Sequence, residues 1–324
     1  MSAGPAVVAL GGGHGLAASL AALRQVTNQV TAVVTVADDG GSSGRLRRQL
    51  GALPPGDLRM ALAALAGEDE WGRCWTALLQ HRFGGTGDLA GHPVGNLILT
   101  GLTDLLDGDA VAALELTGRL LGIRGRVLPL ANVPLEIRAD VAELDPTDPA
   151  AIREVRGQVA VATTPGRVLR VRLEPPAPAA CPEAMAAVGT ADWVIFGPGS
   201  LFTSVIPHLL VPGLGAALTA TPAHRLFVLN LVPQPGETDG FSPERHIEVL
   251  AEHVPDLVAD VVLADTAAIP DPDRLRAAAA AIGARLVLAS VAAPDGSPRH
   301  DPALLAAAFR RALDCAPCGC DTVA

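Results

Sequence analysis

The chain has 324 residues, 49% of them hydrophobic, with a net charge of −10 and a pI near 5.2. That length supports a large buried core, while the acidic balance and 3% aromatics exclude a broad nucleic-acid face, which needs cations and stacking platforms. No apolar run reaches the roughly 18–20 residues that cross a bilayer, and MSAGPAVVALGGG lacks a basic n-region and cleavage pattern, so the expectation is a cytoplasmic protein with no membrane span and no nucleic-acid partner.

In chain order, AVVALGG (6–12) predicts a buried strand closed by glycine, and GLAASLAALRQ (15–25) a helix with Leu16, Leu20 and Leu23 at helical spacing. VTAVVTVADD (30–39) predicts a second strand, so the first 39 residues form a βαβ unit with parallel pairing. LRRQLGALPPGDLRMALAALAG (46–67) reads as helical with a break at Leu53–Gly56 and with Asp57 as N-cap. Helical character continues to about residue 122, interrupted by a loop at 81–96. RVLPLANVPLEIRADV (126–141) and residues 155–175 alternate apolar and polar positions and read as antiparallel hairpins.

Beyond the Pro-rich segment 174–184 the βα rhythm returns. DWVIFGPGS (192–200), RLFVLNLV (225–232), VADVVLAD (258–265) and RLVLASV (285–291) predict strands, with helices between and after them. SPERHIEVLAEHV (242–254) is one of these helices, with Ser242 as N-cap and Pro243 at its first position. The predicted fold is α/β: one Rossmann-like, doubly wound, mostly parallel sheet over 1–314, with a helical and β-hairpin insertion at about 55–175. Ligands of such sheets sit beyond the carboxyl ends of the strands, at the switch point. The five cysteines, Cys74, Cys181, Cys315, Cys318 and Cys320, are an odd set that argues against a disulfide framework. The tail 315–324 is expected to be disordered.

Two glycine loops follow predicted strands. Gly11, Gly12, Gly13 and Gly15, with His14 among them, surround a helix start whose unpaired N–H groups suit an anion; a plain tight turn is the alternative. The spacing is not that of the dinucleotide fingerprint. Asp38 and Asp39 end the second strand, where a ribose hydroxyl or Mg²⁺ can be held. Gly40, Ser42, Ser43 and Arg45 add amides, hydroxyls and a cation within six residues, more than a simple turn requires. Asp57 and Arg59 open the next helix, Arg59 as a phosphate clamp or a surface cation. Asn96 is placed to read a base or sugar. Gly197, Gly199 and Ser200 repeat the strand–glycine–helix junction in the other half, and Asn230 ends a later strand. One molecule with a phosphate at each junction explains why both halves carry a loop.

His14, His81 and His92 show no metal spacing, and no metal ligand set is assigned. Neither a nucleophile elbow nor a P-loop is present, no catalytic residue is assigned, and the absence of lysine excludes Schiff-base chemistry.

GGGHGL, VADDGGSSGRLR, LPPGDLR, GHPVGN and FGPGSLFTSV, in this order, resemble the YvcK-type gluconeogenesis factors of the CofD-like superfamily, from about Val7 to Phe309. The resemblance implies a CofD-like fold and a nucleotide ligand, with UDP-sugars such as UDP-N-acetylglucosamine leading. It implies a regulator of cell shape and wall synthesis on gluconeogenic carbon, acting through protein partners, and a homodimer. It places Gly12, Gly13, Gly15, Asp38, Asp39, Asn96, Gly199 and Ser200 in the nucleotide cleft. His14 stands where many members carry Thr. Two alternatives remain: a CofD-like phospholactyl-type transferase using Mg²⁺, and an NAD(P)-binding protein.

Overall fold

The computed structural model describes residues 4–314; the tail expected to be disordered lies outside the described residues. Strand β1 (Val7–Gly11) feeds helix α1 (Gly13–Leu23), and β2 (Val30–Val34) feeds α2 (Gly41–Leu50). Helices α3 (Pro55–Leu65), α4 (Glu70–Gln80), α5 (Val94–Leu105) and α6 (Ala110–Leu121) lead to β3 (Arg126–Pro129). Then come β4 (Glu136–Ala142), β5 (Arg153–Arg156), the short α7 (Gln158–Ala162), β6 (Arg167–Glu174) and α8 (Pro182–Gly189). The second half runs β7 (Trp193–Phe196), a π-helical turn (Leu201–Val205), α9 (Ile206–Leu210), α10 (Pro212–Ala220), β8 (His224–Val228) and α11 (Pro243–His253). It ends with β9 (Val261–Asp265), α12 (Pro272–Ala281), β10 (Arg285–Ala289) and α13 (Pro302–Asp314).

Seven strands form one sheet in the order β10-β9-β8-β7-β1-β2-β3, and every pair is parallel. Parallel strands covered by helices on both faces read as continuous apolar runs, and β1, β7 and β9 are buried at every residue. Leu10 is fully buried at the centre; truncating such a leucine to alanine costs about 2–5 kcal/mol. Helix α1 buries Leu16, Leu20 and Leu23, the spaced leucines of the sequence, and packs between α3 and α13.

Three details differ from the sequence reading. Residues 126–129 are not part of a hairpin: β3 joins the main sheet parallel to β2, with Thr31 opposite Arg126 and Val34 opposite Pro129. Its exposed Arg126 belongs to an edge strand and imitates an amphipathic pattern. The antiparallel part is a separate three-stranded sheet, β5-β4-β6, within residues 136–174. Asp57 is not an N-cap, since α3 begins at Pro55 with Pro54 in the capping position. Ser242 does occupy the capping position of α11 but makes no side-chain cap bond.

Among the described residues no single helix is long and apolar enough to cross a membrane. Leu201–Leu210 and Pro212–Ala220 reach that length only together, and they are bent by 84°.

Candidate functional site

The chain builds β1, β2 and β3 in one direction, then returns beside β1 to build β7, β8, β9 and β10 in the other. The switch point therefore lies between β1 and β7, where an open α/β sheet leaves a crevice at its carboxyl edge. Both glycine junctions open there. Gly11 ends β1, and Gly12 occupies the N-cap position of α1 with no side-chain cap. Gly197 follows β7 and Ser200 caps the π-helical turn through Thr203 N–H at 3.0 Å. The junctions touch: a Cβ on Gly15 would overlap the Pro198 carbonyl, so only glycine fits. Ser19 of α1 donates to the Gly197 carbonyl at 2.8 Å and ties the two halves together. His14 points outward and is exposed.

Three carboxylates surround these loops. Asp57 sits in the first turn of α3, where its side chain packs beside Gly12 and accepts from Gly13 N–H. Burial pushes its pKa up from 3.8 to about 7, helped by the negative charge of Asp38 and opposed by Gly13 N–H and Arg59. The residue as a whole keeps partial solvent access, so the protein packed around the carboxyl group, not full enclosure, causes the shift. Asp38 turns one oxygen to Gly40 N–H at 2.9 Å. Asp39 accepts from Val159 N–H of α7 at 3.0 Å. The buried hydroxyl of Thr35, beside Gly12, has no hydrogen-bond partner.

Several predicted ligand contacts are committed inside the protein. Arg59 is buried and donates from Nε to Asn96 Oδ1 at 2.9 Å and from Nη1 to Gln80. Arginine only donates, so Asn96 Oδ1 is fixed as acceptor and its Nδ2 donates to Ser42 Oγ at 2.9 Å. Ser42 Oγ in turn lies within hydrogen-bond distance of His92 Nδ1, at 2.7 Å. The chain Arg59–Asn96–Ser42–His92 thus pins the start of α2. Burial and the Arg45 charge lower the His92 pKa and favour a neutral ring; burial lowers that of Arg59 to about 10. Ser43 accepts from Gly56 N–H at 3.0 Å, and Arg45 donates to the Ala90 carbonyl at 2.6 Å. Asn230 clamps Gly199 from both sides, accepting its N–H at 2.9 Å and donating to its carbonyl at 2.8 Å. The structure therefore brings Gly11, Gly12, Gly13, Gly15, Asp38, Gly40, Asp57, Gly197, Gly199 and Ser200 to one crevice and leaves His14 exposed. Ser42, Ser43, Arg45, Arg59, Asn96 and Asn230 brace it through bonds inside the protein, and Asp39 turns to α7.

Glu237 escaped the sequence reading. It is 4% exposed and accepts from Phe202 N–H at 2.8 Å and Thr203 N–H at 3.1 Å, with Ser200 Oγ donating as well. Burial raises its pKa against the pull of those bonds. At this second junction the Phe202 and Thr203 N–H groups are thus held by a carboxylate. A cavity of about 660 Å³ lies elsewhere, between α2 and α5, where Leu46, Leu53 and Leu97 share the lining with Thr100, Thr103, Asp104 and Asn132.

Residues 7–287 match the family described as 2-phospho-L-lactate transferase CofD. The chain belongs to the CofD family. Among CofD-like relatives, a Mycobacterium tuberculosis protein named "Putative gluconeogenesis factor" is 58% identical over 304 residues, spanning 93% of this chain and 88% of its own length. The "Gluconeogenesis factor" of Bacillus subtilis is 39% identical over 267 residues, 82% of this chain and 80% of its own. A crystal structure of a UPF0052-family protein from Bacillus halodurans superposes with a TM-score of 0.84 at 31% identity, covering 96% of this chain and all of that one. That crystal structure shares the fold over nearly the whole chain.

Proposed function

We propose that the protein is a cytoplasmic nucleotide-sugar-binding regulator that takes UDP-sugars such as UDP-N-acetylglucosamine at the β1/β7 crevice. In this reading it acts through protein partners to adjust cell shape and wall synthesis on gluconeogenic carbon. The observation that carries the ligand site is the direct contact of the two glycine junctions, Gly15 against Pro198, which makes one crevice from both halves. The relatives named as gluconeogenesis factors support the physiological setting. A thermal-shift panel of UDP-sugars, NAD, GTP and a deazaflavin, with and without Mg²⁺, tests the reading. A UDP-sugar at 100 times its Kd stabilises by about 2.7 kcal/mol, and a deazaflavin giving the largest shift would overturn the regulator reading.

A second reading, a CofD-like phospholactyl-type transferase using Mg²⁺, is favoured by the family description and by Asp57, since a carboxyl group pushed to about 7 in a crevice is typical of catalytic sites. NAD(P) binding has less support: Asp38 and Asp39 each have an oxygen on a main-chain N–H.

A further inference from the structure

Helix α7 belongs by sequence to the antiparallel sheet, yet it joins the loops that follow β2 and β7 of the main one. At one end Asp39 accepts from Val159 N–H, and the Val159 side chain lies against Gly40. Asp39 also fills the space beside Gly157, the N-cap residue of α7. Along its length α7 packs against the π-helical turn 201–205 of the second junction. At its far end Ala162 and Thr163 meet Gly236, next in sequence to Glu237, whose carboxylate is bound to Ser200, Phe202 and Thr203. Residues 234–239 are a folded strap of their own: Thr238 Oγ1 accepts from Gln234 N–H and Asp239 accepts from Gly236 N–H, both at 2.8 Å.

A continuous path therefore runs from the loop after β2, through α7, to the π-helical turn after β7. Each end is fastened by one carboxylate on the N–H groups of a helical turn. Hydrogen bonds from main-chain N–H groups to a carboxylate are among the stronger ones in a protein. The strap and α7 touch the crevice walls but belong to neither β1 nor β7.

We propose that α7 and residues 234–239 form a clasp across the crevice, fastened by Asp39 and Glu237, which opens to admit the ligand and closes behind it; this deepens, and rests on, the reading of the crevice as the ligand site. Opening releases Glu237 from Ser200, Phe202 and Thr203, frees those N–H groups at the moment of entry, and lifts α7 from the Asp38–Gly40 loop.

Hydrogen exchange and stopped-flow binding on the full chain test it, with UDP-N-acetylglucosamine as probe and Glu237→Ala, Glu237→Gln and Asp39→Asn as variants. Glu237→Ala is expected to speed exchange in 234–239 and also in 158–163, which it does not touch directly, and to speed association by about tenfold, equivalent to ~1.4 kcal/mol. Glu237→Gln, which keeps an acceptor oxygen, falls between. Should Glu237→Ala fail to fold, Glu237→Gln and Asp39→Asn carry the same two readouts. Unchanged exchange in 158–163, or an association rate equal to the parent's, overturns the clasp. If the parent protein binds no nucleotide-sugar, the ligand reading fails, and the exchange measurement decides the clasp without it.

Discussion

Replacing Asp57 with asparagine removes a charge that works against the fold. Asp57 has a pKa near 3.8 when unfolded and about 7 when folded, because burial beside Gly12 disfavours its ionised form. The folded state holds the proton more tightly. Stability is therefore full below about pH 4, falls as pH rises toward 7, and levels off above that. At 1.36 kcal/mol per pH unit the full penalty is at most roughly 4 kcal/mol; solvent reaching the residue reduces it to ~2–4 kcal/mol. Asparagine keeps an oxygen for Gly13 N–H and stays neutral at every pH. Urea denaturation of both proteins between pH 4 and 8.5 isolates this one group. Asp57→Asn is expected to exceed the parent by ~2–4 kcal/mol at pH 8 and to converge with it near pH 4. A difference that does not change with pH, or a parent more stable at pH 8, refutes the argument.

Gly15→Val drives a side chain into the Pro198 carbonyl; a loss of about 1–3 kcal/mol in urea unfolding is expected, together with loss of any nucleotide-induced thermal shift, and full retention of both contradicts the contact. Asn96→Ala leaves the buried Arg59 Nε–H and the Ser42 hydroxyl without a shared partner. The expected cost is ~2–3 kcal/mol; a change below about 0.5 kcal/mol shows that the chain of bonds is not holding α2. Asn230→Ala frees both backbone groups of Gly199, and amide exchange at Gly199 should rise by at least about tenfold, the factor for the ~1.4 kcal/mol such bonds contribute.

The doubly wound sheet was legible because its central strands are buried on both faces and so appear as unbroken apolar runs, as at AVVAL and WVIF. The two glycine junctions were legible as loops closing those runs. β3 was not, since it has four residues and an edge arginine. The difference between a ligand contact and a brace was also hidden. Arg59, Asn96 and Asn230 have the chemistry of ligand-binding residues, but their partners lie 21–54 residues away in sequence, and only the folded chain brings them together. Glu237 stands in a Pro-Gly-Glu-Thr-Asp turn that reads as solvated. Its burial arises from a 37-residue closure back onto Ser200, for which the sequence carries no local signal.

The carboxylates at the crevice constrain what can enter it. Asp38, Asp57 and Glu237 all face the glycine junctions, and each already has main-chain N–H groups that a phosphate would also seek. A diphosphate placed there raises the pKa of Asp57 further, because like charges disfavour ionisation. Binding at pH 8 must then be accompanied by proton uptake, up to one proton per ligand. The affinity of UDP-N-acetylglucosamine is accordingly expected to weaken by as much as about tenfold per pH unit above pH 7, whereas uridine, which carries no phosphate, should bind with little pH dependence over the same range. Asp57→Asn should flatten the nucleotide-sugar profile. Calorimetry in buffers of different ionisation enthalpy counts the protons directly. A nucleotide-sugar affinity that stays level from pH 6.5 to 8.5 in the parent protein means that the phosphates do not reach Asp57.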